Sequence, residues 1–124
     1  MINKASSMTL GGYKAVDADD LNEPELLKAA KFAVMEYVSQ LPSSSRIDRS
    51  RVVVPVDGDA DDSEIKFEVL QAATQVVAGV NFKMDIAVLD PFERNCLEVF
   101  SVVVYDHFGD LSLTRFEGEP MQCE

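Results

Sequence analysis

Residues 65–88 read IKFEVLQAATQVVAGVNFKMDIAV, and this stretch decides the fold. In its first half, alternate positions fall on one face of a strand that extends to Val77, and they are Ile65, Phe67, Val69 and Gln71. In its second half, the same alternation resumes after Gly79 with Val80, Phe82, Met84, Ile86 and Val88. A period of two is typical of half-buried strands. Two such strands joined by a short connection are predicted to pair antiparallel.

An amphipathic helix is predicted ahead of these strands, from Glu23 to Gln40. Asn22 is a favourable N-cap, and Pro24 suits the first helical turn, where its missing N–H costs nothing. Apolar residues recur at helical spacing on one face, which comprises Leu26, Ala30, Ala33, Val34, Tyr37 and Leu41. This face is the natural cover for the apolar side of a sheet.

Two further strands are predicted, one from about Leu97 to Tyr105 and one from Leu111 to near Gly118, with a loop over residues 106–110. The β-branched run at residues 52–54 is left open between strand and loop. The predicted fold class is α+β, with a single antiparallel sheet of four to five strands wrapped around one long helix. A chain of 124 residues suits one domain, assigned here to residues 10–124, with residues 1–9 as a flexible N-terminal arm.

The charge balance excludes several classes of partner. Lys and Arg number 11 and Asp and Glu 22, so the net charge is −11. Nucleic-acid phosphates and anionic membranes would be repelled, whereas solubility is favoured. No apolar run approaches the roughly 18 residues that cross a bilayer. Residues 1–8 lack the apolar block of a secretory signal, which favours a cytoplasmic protein unless a leader has been removed.

Catalytic chemistry has little support in the sequence. The one histidine, His107, and Cys96 are the available base and thiol, but a strand start and a distant turn are not expected to bring them within hydrogen-bond reach. We therefore predict no catalytic residue and no enzyme activity. Cys96 and Cys123 can form one disulfide in an oxidising compartment, a question that the sequence leaves open.

An acidic loop invites comparison with calcium sites. Asp57, Asp59 and Asp61 occupy the first, third and fifth positions of an EF-hand loop, and Glu68 the twelfth. Asp62 stands where that loop requires glycine, and Glu68 belongs to a strand rather than to an exiting helix. We expect a solvated acidic loop, with no metal site and no cofactor.

The connection between the two alternating strands is unusual in composition. Hairpin tips are normally polar, because their backbone faces water. Here residues 76–79 are Val-Val-Ala-Gly, which would expose aliphatic groups and predicts an apolar partner surface. The alternative is a strand that continues straight through, with Gly79 at a β-bulge.

This stretch also resembles a known family. Residues 75–79, Gln-Val-Val-Ala-Gly, match the Gln-x-Val-x-Gly motif of the cystatins, which inhibit papain-like cysteine peptidases. Gly11-Gly12 precedes the helix as the family's N-terminal glycine does, and residues 110–116 are similar to the last strand of stefin-type members. The resemblance covers about Leu10 to Glu117 in the same order. It implies a reversible, tight-binding inhibitor that inserts a three-part hydrophobic wedge into the active-site cleft.

The resemblance implies a partner of the papain or cathepsin type and a set of contact residues. The implied peptidase-binding residues are Leu10, Gly11, Gly12, Gln75, Val76, Val77, Ala78, Gly79, His107 and Phe108. The chain departs from the family at the second hairpin, where residues 107–109 replace a Pro-Trp or Leu-Pro sequence, and in the longer segment 43–62. A non-inhibitory protein-binding module on the same scaffold is therefore the alternative. A small-ligand enzyme that uses the concave sheet is a third hypothesis.

The oligomeric state follows from the same tip. We expect a monomer. The β-branched Val76 and Val77 in a tight turn store strain, and straightening them would allow two chains to exchange strands as a domain-swapped dimer.

Overall fold

The computed structural model describes residues 12–40, 52–55, 64–89, 95–121 and 123. Within these residues the predicted α+β class is confirmed, with a single α-helix and one sheet that is antiparallel except for one strand. The elements are β1 (Lys14–Ala15), a 3-10 turn (Ala18–Asp20), α1 (Pro24–Ser39), β2 (Val52–Pro55), β3 (Glu64–Val77), β4 (Gly79–Leu89), β5 (Cys96–His107) and β6 (Asp110–Met121). Asp57, Asp59 and Asp61, the first, third and fifth positions of the acidic pattern, lie outside the described residues.

The strands follow the order β1-β3-β4-β5-β6, and each neighbouring pair is antiparallel. The remaining strand, β2, pairs parallel with the start of β3, a pairing that the sequence did not predict.

Helix α1 starts one residue later than predicted. Its N-cap is Glu23, whose side chain makes no cap hydrogen bond, rather than Asn22. Pro24 occupies the first helical position, where its fixed φ is already helical, and this places the cap at the residue before it. The predicted core face is buried, with Ala29 and Val38 added to it, whereas Leu41 lies outside the described residues.

The core lies between α1 and one face of the sheet. The largest buried side chains of that face come from alternate positions of β3, β4 and β5, and they include Phe67, Met84, Ile86, Val88, Val102 and Val104. At the C-terminal end of α1, Tyr37 stacks on Phe100 with ring centroids 4.2 Å apart, and its hydroxyl donates to Glu98. Burial, and then the bond to Glu98, raise the pKa of the Tyr37 hydroxyl. These contacts attach the helix to β5.

The predicted alternation along β3 fails after Val69. The pairing register with β4 shifts between Val69 and Gln71, so Leu70 has no cross-strand partner. The faces reverse from this bulge onward, so Ala72 is buried and Gln71 is exposed, contrary to the prediction. On the outer face, the Gln71 amide donates to Asp85.

The disulfide that the sequence left open is formed in the structure. It joins Cys96, at the start of β5, to Cys123, just after β6, with Cα atoms 5.8 Å apart. The sulfur of Cys96 is therefore not available as a nucleophile while the disulfide is intact. His107 stands at the opposite end of β5 from Cys96, roughly 35 Å away by the rise of a strand, so the two cannot form a catalytic pair.

We expect removal of this disulfide to destabilise the fold. The variant Cys96→Ser/Cys123→Ser should lose about 2–4 kcal/mol of unfolding free energy, because the bridge closes a loop with a sequence separation of 27. Urea denaturation measures the change. Reductant should produce the same loss in the wild type and no further loss in the double variant; a wild type that is insensitive to reductant would contradict the prediction.

No helix among the described residues has the length and apolar character that a bilayer crossing requires. No group of three or more His, Cys, Asp or Glu side chains in the same part of the chain is arranged to hold a metal ion.

Candidate binding site at one end of the sheet

The motif 75–79 forms the tip of the β3–β4 hairpin. Val76 pairs with Val80 and Val77 with Gly79, so Ala78 alone makes the turn. The alternative in which the strand continues straight through Gly79 is therefore wrong. The chain reverses direction at the position that the composition of the stretch indicated.

The tip of the β3–β4 hairpin, residues 75–79, is called the first tip from here on, and it exposes apolar side chains. Val76 is 80% exposed and Val77 48% exposed, and both belong to the few large hydrophobic residues that stand out from the described surface. Ala78 between the strands is exposed as well. This hairpin presents aliphatic surface to solvent where polar residues are usual.

Gly79 is required by both backbone conformation and space. Its φ is +116°, in a region that residues with a side chain rarely adopt. A Cβ at this position would lie 2.5 Å from the carbonyl oxygen of Asp106 and 3.0 Å from the ring of Tyr105. The close approach of the first hairpin to β5 therefore depends on the absence of a side chain.

The second hairpin joins β5 to β6 through Phe108-Gly109, between the paired residues His107 and Asp110. The φ angles of Phe108 and Gly109 are +54° and +105°, as a type I′ turn requires. The Gly109 amide donates to the Asp106 carboxylate at 2.7 Å. The loop predicted over residues 106–110 is thus a tight two-residue turn.

Phe108 is the most exposed large hydrophobic residue of the second hairpin, at 81%. A positive φ is uncommon for an aromatic residue and costs backbone free energy, and residues held in such conformations cluster at functional sites. His107 packs beside it with ring centroids 4.9 Å apart, and the His107 ring also lies 5.8 Å from that of Tyr105. Aromatic contacts therefore connect the tip to the strand behind it.

The N-terminal segment lies beside the first hairpin. Lys14 in β1 pairs with Thr74, immediately before the motif. A Cβ on Gly12 would lie 3.0 Å from Nε2 of Gln75, so this glycine packs directly on the glutamine side chain. Leu10 and Gly11, which were also predicted to bind, lie outside the described residues.

These segments meet at one end of the sheet. Val80, which follows the first tip, pairs with Asp106, which precedes the second. Gly12 lies on the other side of the first hairpin, against Gln75. The structure thus brings together the following predicted site residues: Gly12, Gln75, Val76, Val77, Ala78, Gly79, His107 and Phe108.

Two residues at this end were missed by the sequence analysis. The Tyr105 hydroxyl donates to the carbonyl oxygen of Ala78, and Asn81 Nδ2 donates to Gln75 Oε1 at 2.8 Å. Both residues carry a polar group at the end of the side chain and lie in predicted strands close to a predicted turn. The sequence shows this much, but only the register between β4 and β5 shows that the two residues are neighbours.

Comparison with known proteins adds no assignment: no family model and no curated protein matches the chain.

Proposed function

We propose that the protein is a reversible, tight-binding inhibitor of papain-like cysteine peptidases. One observation carries the proposal. The segment at Gly12, the tip at residues 75–79 and the tip at residues 107–108 lie side by side, and Val76, Val77 and Phe108 are exposed there. We call these three segments the wedge.

Burial of apolar surface is the proposed source of affinity. The cleft of a papain-like peptidase is V-shaped with apolar walls, and the valines of the first tip would leave water on entering it. Such burial contributes roughly 25 cal/mol per Å² of apolar area. Peptidase–inhibitor interfaces of standard size bury about 1,600 Å² in total. A few side chains should dominate, and Val77 and Phe108 are the strongest candidates.

Inhibition would be steric, with no reaction of the inhibitor's own atoms. In this proposal Leu10 fills an apolar pocket on the unprimed side of the cleft. Gly11 lets the backbone pass close to the catalytic thiolate without presenting a peptide bond in attack geometry, which the conformational freedom of glycine permits.

The tight turns support slow dissociation. Gly79 closes the first tip with a φ of +116°, and Phe108 is held at +54° in the second. A binding surface that is ordered before association loses less conformational entropy on binding. Differences in affinity between related complexes usually appear in the dissociation rate.

The proposal is tested by titrating the protein into papain of known active-site concentration, and into one cathepsin. Nanomolar protein should abolish hydrolysis of a fluorogenic peptide, and activity should return on dilution. A chymotrypsin-like serine peptidase, whose site is not such a cleft, should stay active. Papain that remains fully active at micromolar protein would refute the proposal.

Substitution of Gly11 tests the N-terminal part of the wedge. Gly11→Glu should raise the inhibition constant for papain about 30-fold or more, as expected for loss of a dominant contact. Ser7→Glu introduces the same charge in the predicted arm and should change the constant less than about twofold. Equal losses in the two variants would show that net charge, rather than the close approach at Gly11, is responsible.

A non-inhibitory binding module is the second candidate. The observation that favours it is the Phe108-Gly109 turn, which stands where the cystatin resemblance calls for a proline-containing hairpin. The same exposed residues would then occupy an apolar groove without closing an active site. Calorimetric binding of papain with undiminished peptide hydrolysis would favour this candidate over the inhibitor.

A further inference from the structure

A row of polar side chains crosses the sheet directly behind the wedge. Gln75 in β3 pairs with Asn81 in β4, and Asn81 pairs with Tyr105 in β5. Cross-strand partners point to the same face of a sheet. All three side chains therefore lie on one face, in neighbouring strands, at the level of the two tips.

One end of this row reaches the N-terminal segment. The Gln75 side chain packs on Gly12, where a Cβ would lie 3.0 Å from Nε2. Its Oε1 accepts the 2.8 Å hydrogen bond from Asn81 Nδ2, which sets the orientation of the amide. Asn81 therefore helps to position Gly12 through the side chain of Gln75.

The other end of the row holds the two hairpins together. The Tyr105 hydroxyl donates to the carbonyl oxygen of Ala78 at the first tip. The Tyr105 ring lies against Gly79, and its centroid is 5.8 Å from that of the His107 ring of the second hairpin. A single side chain thus contacts both tips.

We propose that Gln75, Asn81 and Tyr105 form a brace that holds the three segments of the wedge in one arrangement, with Asn81 and Tyr105 as positioning residues. The brace itself is a property of the free protein. Its consequence for peptidase inhibition rests on the proposed function.

The physical effect of the brace is local order. The tips have few buried apolar contacts of their own, so local opening should require less free energy there than in the core. Hydrogen bonds to Ala78 and Gln75 oppose that opening. Loss of one of them should loosen the wedge while the core between α1 and the sheet stays intact.

Amide hydrogen exchange of the free protein tests the brace without a peptidase. Tyr105→Phe keeps the ring against Gly79 and removes only the hydroxyl. Exchange of the backbone amides over residues 76–80 should accelerate about fivefold or more, with exchange in α1 unchanged. Ser112→Ala removes a hydroxyl from the residue that pairs with Tyr105 on β6, and it should leave the tip amides unchanged.

Unchanged exchange at residues 76–80 in Tyr105→Phe would overturn the proposal. So would equal acceleration in Ser112→Ala, because the effect would then not depend on the bond to Ala78. Asn81→Ala provides an independent check at the other end of the row. It should accelerate exchange at residues 12–15, which adjoin Gln75, and unchanged exchange there would remove Asn81 from the brace.

Inhibition kinetics add a second readout. Tyr105→Phe should raise the dissociation constant for papain about 5- to 20-fold, with a thermal midpoint within about 2 °C of the wild type. A residue with a merely structural role would weaken inhibition and lower the thermal midpoint together. If the wild type does not inhibit papain, the proposed function fails while the exchange experiment still decides the brace.

Discussion

Val77→Asp should raise the dissociation constant for papain about a hundredfold and lower the free energy of unfolding by no more than about 1.5 kcal/mol. Val77 is 48% exposed at the tip, so the fold loses only about half of the burial of a valine. In the complex, the remaining half, about 0.8–1.5 kcal/mol, is lost as well. An aspartate carboxylate must also leave water without a partner, which adds about 1–3 kcal/mol.

Leu70→Asp is the matched control for this variant. Leu70 lies on the same strand, is 45% exposed, and gives the same change of charge, but it sits at the bulge rather than at the tip. Its dissociation constant should stay within about threefold of the wild type. Inhibition titrations and urea denaturation of both variants provide the comparison. A comparable loss of inhibition in the two would mean that added negative charge, not the wedge, controls binding.

Gly79→Ala should lower the free energy of unfolding by about 3–5 kcal/mol and weaken inhibition together with it. The positive φ of +116° costs an alanine about 1–3 kcal/mol. The overlap of its Cβ with the Asp106 carbonyl oxygen, 2.5 Å away, adds a similar amount through forced displacement of β5. Since the first tip would move away from Tyr105, the bond to Ala78 should also weaken.

Gly118→Ala separates these two contributions. Gly118 has a φ of +74°, and nothing lies within 4 Å of the position its Cβ would take. Its loss of stability should therefore be limited to the backbone term of about 1–2 kcal/mol, with inhibition unchanged. Urea denaturation of both variants gives the difference. If Gly79→Ala and Gly118→Ala lower the free energy of unfolding by the same amount, the contact between the first hairpin and β5 is not the reason for glycine at position 79.

Burial was predictable wherever secondary structure was regular. The alternation from Phe82 to Val88 placed the inner face of β4 correctly, and the helical spacing from Leu26 to Tyr37 did the same for α1. In both cases the period of the backbone sets which side chains share a face. The period in turn sets which side chains are buried.

Predictions failed where the period is interrupted or where distant segments meet. The bulge at Leu70 reverses the faces of β3, and no residue type there announces it. The parallel strand β2 forms because its backbone pairs with the edge of β3 at residues 64–67, a contact that the residue types of β2 do not indicate. The disulfide depends on the distance between Cys96 and Cys123, which β5 and β6 determine together.

The amino-acid sequence by itself determined the hairpin-forming stretch 65–88, the helix that covers it, and the apolar character of the first tip, because each depends on interactions between near neighbours in the chain. Only the tertiary structure decided that Gly12, the tip at 75–79 and the tip at 107–108 are neighbours, and that Tyr105 joins the two hairpins. The register of β3 with β1 and of β4 with β5 brings them together. The hydrophobic pattern of each strand limits that register, but which segments pair is selected by hydrogen bonds and packing between parts of the chain that a local pattern does not connect.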